Sequence, residues 1–345
     1  MKPGRLGKSS GVTLLTDFAR GSYEVIGRLY RLTLEGAKVP VVEEPLPASA
    51  EDWEKTAERL AGAVVLHNTI GPLFHPLPNS FNIALPHHEW SRYPKGWVDT
   101  LNRFDEVWTT SDFVADVMRN SGVKAPILFM PPALDADAVS PKMEWEAHAP
   151  FSFYSCGEAH FRKGFHLLMA GFMEAFPQVG AARLVIKTSP SCKWTSPRED
   201  IEIAANWMER DDMLAEYKKH DAYVSASLGE GLGLPLAEAA LAGLPVTANF
   251  WGGHESLLAE GGFFKMESGV IDQFFCSDPS YFAPGQKCAL STPQMISAAL
   301  RRVYESTPEE RRTMAKIARD RVLSRYAMSA CAGAIKRRLE ILAQA

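Results

Sequence analysis

The stretch Ser227-Leu-Gly-Glu-Gly-Leu-Gly-Leu-Pro-Leu-Ala-Glu238 decides how the rest of the chain is read. An apolar run, Ala222–Ser227, reads as a strand that enters three alternate glycines, Gly229, Gly231 and Gly233, and then a helix with Pro235 in its first turn. Proline suits that place because its missing N–H has no intrahelical acceptor to lose. Glycines let backbone approach a ligand closely, and the exposed N–H groups of a helix start hold anions. Glu230 stands in the loop and Glu238 about one turn inside the helix, so one carboxylate lies at the mouth and one deeper, each able to accept from hydroxyls. A polyhydroxylated, phosphorylated ligand needs that mixture. A plainer reading stays open: a tight strand-to-helix turn, with Glu238 favoured only by the helix dipole. The dinucleotide fingerprint G-x-G-x-x-G is excluded, since Leu234 occupies its third glycine position.

Outward from this segment, short apolar runs alternate with helix-like stretches. In the first half, Val12–Thr16, Lys38–Val42, Gly62–His67, Phe81–Pro86, Glu106–Thr110 and Ile127–Met130 read as strands. Ser22–Gly36, Asp52–Ala61 and Asp112–Ser121 read as helices. After Pro131-Pro132 and a polar stretch the alternation restarts: strands at Phe151–Cys156, Arg183–Thr188 and Pro245–Ala248, helices at Gly164–Phe176, Arg210–Lys219 and Leu236–Leu241. Strand–helix alternation predicts parallel sheets covered on both faces. The chain is therefore expected to be α/β, with two doubly wound Rossmann-like domains facing across a cleft: residues 1–145, residues 146–325, and a last helix, 326–345, crossing back to the first domain. At 345 residues the length suits two domains.

The net charge of -4 gives no bulk electrostatic grip on nucleic acid, so none is expected as a partner. Five scattered cysteines without a C-x-x-C pair suit a reducing, cytoplasmic setting. The polar Met1–Ser10 segment lacks the apolar core of a signal peptide, and no apolar run is long enough for a membrane span. The basic tail, Arg311–Leu342, admits two readings: a helix with its apolar side on the core, which is preferred, or a weak peripheral contact with anionic lipid. No histidine or cysteine spacing matches a metal site, so no metal and no resident cofactor are expected.

The string EGLGLPLAEAALAGLPV, with its E-x7-E spacing of Glu230 and Glu238, resembles glycosyltransferase family 4, retaining enzymes of the GT-B fold. Other pieces follow in that family's order: Arg162-Lys163-Gly164 resembles its KG motif, Gly252-Gly253-His254-Glu255 its GGxxE loop, and Pro132-Ala-Leu-Asp135 the segment entering the linker. Glu89-Trp-Ser-Arg-Tyr-Pro94 with Trp97, then Asp105-Glu-Val-Trp108 and Ser111, resemble a subgroup pattern in the first half. The resemblance implies transfer of a hexose-type sugar from a UDP- or GDP-linked donor to a hydroxyl acceptor: a glycan, a lipid-linked glycan or a protein. It implies Glu238 on the ribose, Glu230 on the transferred sugar, the N–H groups of Gly231, Leu232, Gly233 and Leu234 lining that sugar, and Lys163 on the diphosphate. A cation there also fits the chemistry directly, because charge builds on the leaving oxygens.

The family often has arginine where Glu158 stands, so Arg162 is expected to supply the second cation. Gly21, in Arg20-Gly21-Ser22-Tyr23, is expected near the diphosphate, and Asn206, beside Trp207, near the base. His87 or His88 is expected to meet acceptor or sugar, with a packed structural histidine as the plainer reading. Asp135-Ala-Asp137 spells D-x-D but sits in the linker and is read as a decoy. An inert sugar-nucleotide-binding partner, an epimerase and a phosphorylase remain as alternative functions.

Overall fold

The computed structural model describes residues 11–18, 21–275 and 282–344. The Met1–Ser10 segment, Arg20 and Cys276 lie outside the described residues. The first half comprises β1 (Val12–Thr16), α1 (Ser22–Gly36), β2 (Val41–Pro45), α2 (Ala50–Arg59), β3 (Val64–Asn68), β4 (Phe81–Ala84), α3 (Lys95–Leu101), β5 (Glu106–Thr109), α4 (Asp112–Ser121) and β6 (Ile127–Phe129). Its six strands form one parallel sheet in the order β2-β1-β3-β4-β5-β6. β1 and β3 are buried at every position, which is why valine and leucine dominate both.

The second half comprises β7 (Phe151–Cys156), α5 (Phe165–Ala175), β8 (Ala182–Thr188), β9 (Ile201–Ala205), α6 (Arg210–Glu216), β10 (Ala222–Ser225), α7 (Leu234–Leu241), β11 (Val246–Ala248), α8 (His254–Leu257), β12 (Phe264–Lys265), a hairpin of β13 (Gly269–Asp272) and β14 (Lys287–Leu290), and the helices α9 (Pro293–Tyr304), α10 (Pro308–Tyr326) and α11 (Met328–Gln344). β7 to β12 form a second parallel sheet, ordered β12-β11-β10-β7-β8-β9. The chain is thus α/β with two Rossmann-like domains.

That order decides where a ligand sits. From β7 the chain winds outward through β8 and β9, then returns to the other side of β7 as β10. The strand order therefore reverses between β7 and β10, and ligands of open α/β sheets bind beyond the carboxyl ends at such a point. Cys156-Gly157 and Ser225–Ser227 occupy those ends.

Most expected elements fall within a few residues of their places. β2 begins three residues later than the Lys38–Val42 run. Lys38 is held in a left-handed turn (φ 59°) after α1, and pairing starts only once Val12 N–H reaches the Pro40 carbonyl at 2.9 Å. The helical tail divides where Thr307 caps α10 through Glu310 N–H and where Ala327 turns extended. α11 then packs on α1, and Arg338 pairs with the buried Glu106 of the first sheet. Asp135 pairs with Arg28 at 3.6 Å.

The hairpin β13–β14 had no counterpart in the sequence reading. Lys287 N–H donates to Ser91 Oγ at 2.7 Å, Gln286 Nε2 to the Arg92 carbonyl at 2.8 Å, and Arg92 to the Pro284 carbonyl at 2.7 Å. Beneath these bonds Trp90, from the first domain, is buried with Leu228 and Cys288 of the second. The hairpin straps the loop after β4 to the second domain.

Candidate active site

Two loops build the site at the switch point. The first leaves β7 and carries Arg162 and Lys163 on a short 3-10 turn. It closes at Gly164, which adopts φ 66°; a Cβ there would lie 2.1 Å from the Ala226 carbonyl oxygen. Only glycine fits, and the tight return brings both cations under the second loop, Ala226–Gly233. Gly233 (φ 96°) turns that loop into α7.

Lys163 Nζ lies 2.6 Å from Glu230 Oε1, and Arg162 Nη1 lies 3.1 Å from Glu230 Oε2. Arg162 also donates to the Gly229 carbonyl at 2.6 Å and reaches Glu89 of the first domain at 3.4 Å. Burial alone would raise the Glu230 carboxyl, but Lys163 and Arg162, with His254 nearby, hold it well below the usual carboxylate range. The cavity enclosed by Lys163, Glu230, His254 and the β7 and β10 ends measures about 10 Å³, room for a single water.

The glycine loop packs against the first domain. A Cβ on Gly229 would lie 2.4 Å from the Glu89 carbonyl oxygen, and one on Gly231 would lie 2.9 Å from that of His88. Ser111 Oγ, which caps α4, donates to the Gly231 carbonyl at 2.5 Å. Gly229 and Gly231 are therefore required for contact between the domains, whatever the N–H groups of Gly231, Leu232, Gly233 and Leu234 bind.

Glu238 is buried about one turn into α7. Its Oε1 pairs with Arg210 at 2.5 Å and its Oε2 accepts from Tyr217 at 2.8 Å. Beyond it, at the ends of β8 and β9, Lys187 donates to the carbonyls of Thr188 and Asn206, and Trp207 is half exposed. Glu158 accepts from Ser189 Oγ at 2.5 Å and Ser191 Oγ at 2.7 Å, which turns it away from Lys163 towards that edge. Burial tends to raise its carboxyl; the two serines, His160 and Lys187 bring it below the ordinary value.

The two histidines after β4 differ. His88 gives its Nε2 to the Arg92 carbonyl at 2.7 Å and packs edge-on with Tyr93 and Trp97, a structural arrangement. His87 meets the Tyr23 ring edge-on, and its buried Nε2 has no hydrogen-bond partner among the described residues. Burial, partly offset by Glu89, pushes its pKa down to about 4, so the ring is neutral. Gly21 stands at the N-terminus of α1, and among the described residues a Cβ there would meet nothing within 4 Å. Sequence reading gave no role to Arg210, Tyr217 or His254 and did not foresee the contact of Glu89 with Arg162. His254 and Glu89 stand inside the quoted GGxxE and Glu89–Trp97 stretches, whereas Arg210 and Tyr217 lie in no motif and only the fold brings them to Glu238.

Residues 151–283 match the family described as glycosyl transferases group 1. The matched segment runs from β7 into the β13–β14 hairpin and so takes in the whole second sheet. Solved structures extend the likeness to both halves. Sucrose-phosphate synthase from Thermosynechococcus elongatus is 15% identical, with a TM-score of 0.71 over 96% of this chain and 99% of that one. Anabaena Alr3699/HepE, solved in complex with UDP and glucose, is 13% identical, with a TM-score of 0.70 over the same shares. The pneumococcal O-GlcNAc transferase GtfA, solved with UDP and GlcNAc, is 14% identical, with a TM-score of 0.62 over 84% of this chain and 60% of that one. These likenesses establish the GT-B fold. No curated protein sequence matches the chain. Lys163, Glu230 and Glu238 all lie inside the matched glycosyltransferase domain, at its strand-order reversal. Among the described residues, no cluster of three or more histidine, cysteine or acidic side chains forms a metal site, and no helix is long and apolar enough to cross a membrane.

Proposed function

We propose that this GT-B glycosyltransferase is a retaining enzyme of family 4 type that moves a hexose-type sugar from a UDP- or GDP-linked donor to a hydroxyl of a glycan or lipid-linked glycan. The observation that carries the reading is the Lys163–Arg162 pair, held beside Glu230 at the reversal point of the second sheet. Two adjacent cations at that place suit a diphosphate, and a carboxylate between them and α7 suits the sugar hydroxyls.

In this account the diphosphate lies on Lys163 and Arg162, which stabilise the charge that develops as the sugar–phosphate bond breaks. The acceptor hydroxyl attacks from the same face, and its proton passes to the departing phosphate oxygen, so no separate protein base is needed. Glu230 orients the sugar through its hydroxyls. Glu238 accepts from the ribose hydroxyls through the lone pairs that Arg210 and Tyr217 leave open. Asn206 and its neighbours are assigned to the base, Gly21 to the phosphates, and His87, whose Nε2 has no partner among the described residues, to the sugar or acceptor. The chemistry asks for no metal or cofactor, because lysine and arginine supply the positive charge.

The test is release of nucleoside diphosphate from UDP- and GDP-sugars, with the anomeric configuration of any product followed by NMR. Turnover with retained configuration, reduced about 100-fold in Glu230→Gln, supports the proposal. Near-wild-type turnover in Glu230→Gln contradicts the role given to Glu230, and an inverted product contradicts the retaining mechanism.

A further inference from the structure

The two cations proposed to hold a diphosphate are already matched by carboxylates, one from each domain. Lys163 pairs with Glu230, while Arg162 lies between Glu230 and Glu89 and is fixed in place by the Gly229 carbonyl. Glu89 follows β4 in the first domain; Glu230 belongs to the glycine loop of the second. Two positive and two negative charges cancel, so an arriving diphosphate meets a neutral cluster. Glu230 occupies both cations at once, Lys163 at 2.6 Å and Arg162 at 3.1 Å. A donor must therefore displace a carboxylate to reach the cations.

From this geometry we infer that Glu89 is a positioning residue that couples donor binding to the first domain, and that Glu230 stands in for the diphosphate until the donor arrives. The inference rests on the diphosphate site proposed above. When the donor enters, phosphate oxygens replace Glu230 on Lys163 and Arg162, and Glu230 turns to the sugar hydroxyls. Glu89 is not displaced. It keeps hold of Arg162 and thereby ties the loop that carries His87 and His88 to the filled site. Its charge opposes phosphate binding, while its tether favours the closed, reactive arrangement.

These opposed effects give a signature that a merely structural contact lacks. Glu89→Gln keeps the shape and removes the charge, and Gly229 still holds Arg162. Loss of one negative charge several ångströms from the anion tightens binding about fivefold. Loss of the tether lowers kcat about tenfold, since a misplaced reacting group costs rate even at saturation. The probe is inorganic pyrophosphate, which needs neither base nor sugar contacts, titrated calorimetrically into the full chain without metal. The expected result is a lower Kd in Glu89→Gln, a Kd within about twofold of wild type in the charge-retaining Glu89→Asp, and falls in both donor KM and kcat for Glu89→Gln. An unchanged or higher Kd in Glu89→Gln, or equal tightening in Glu89→Asp, overturns the inference and leaves the diphosphate site standing. Absence of pyrophosphate binding to the wild-type chain overturns the inference and the site together.

Discussion

Replacing Lys163 by methionine separates what this side chain does for the fold from what it does for the reaction. Lys163 and Glu230 are both about a tenth exposed, at 12% and 10%, with 2.6 Å between nitrogen and oxygen. A hydrogen bond between charged groups contributes about 1.5–3 kcal/mol net, and breaking a buried pair costs more when the surviving charge has no other partner. Glu230 keeps Arg162 at 3.1 Å, and methionine retains the packing of the stem against Gly157. The expected loss of stability is therefore about 2 kcal/mol, read from urea unfolding. The kinetic loss is larger and independent of it. Removing a group that stabilises the charge of the leaving oxygens costs about 3–4 kcal/mol, a 100- to 1,000-fold fall in kcat measured as nucleoside diphosphate release at saturating donor. Turnover within about fivefold of wild type, with stability lowered as expected, would refute the reasoning and reduce Lys163 to a partner for Glu230.

Other outcomes follow from particular contacts. Trp90→Ala empties a site shared by both domains and is expected to cost about 3–4 kcal/mol; calorimetry should then resolve two transitions, and an unchanged single transition would contradict the strap. Gly164→Ala forces a Cβ against the Ala226 carbonyl at φ 66°, with an expected loss of at least about 2 kcal/mol in urea unfolding; a neutral effect would mean that the loop carrying Arg162 and Lys163 is placed otherwise. Burial pushes His67 and His220 down to about 4, with Asn82 and Glu216 opposing. Their folded values lie below the unfolded value of about 6.5, so the unfolded chain binds more protons in this window. Their contribution to stability is complete above about pH 6.5 and is lost as pH falls towards 4, by up to about 1.4 kcal/mol per pH unit for each histidine. Urea titrations at several pH values check the slope, and a flat profile across that interval would contradict it.

The sheets were legible because β1, β3 and β7 are buried at every position and are accordingly rich in apolar side chains. The glycine loop was legible because proline, three glycines and two carboxylates rarely share twelve residues without a steric or chemical reason. What the glycines answer to was less visible. Gly229 and Gly231 lie against the backbone of Glu89 and His88, some 140 residues earlier in the chain, and no local pattern announces that contact. The strap was hidden for a related reason. β13 is largely exposed and pairs only with β14, so it lacks the apolar alternation of a half-buried strand. Nor does sequence reveal that Arg210 and Tyr217 share Glu238, since the contacts join residues far apart in the chain with a strand and the glycine loop between them.

The central claim is that the reversal point between β7 and β10 holds a nucleoside diphosphate. Thermal and chemical unfolding with UDP, GDP, ADP, CMP and dTDP, with and without their sugars, tests it most directly. At about 100 times its Kd a ligand specific for the folded state adds about 2.7 kcal/mol. The account predicts such a gain with at least one uridine or guanosine diphosphate, lost in both Lys163→Ala and Glu238→Ala. No gain with any of them, or a gain that survives both substitutions, would contradict it.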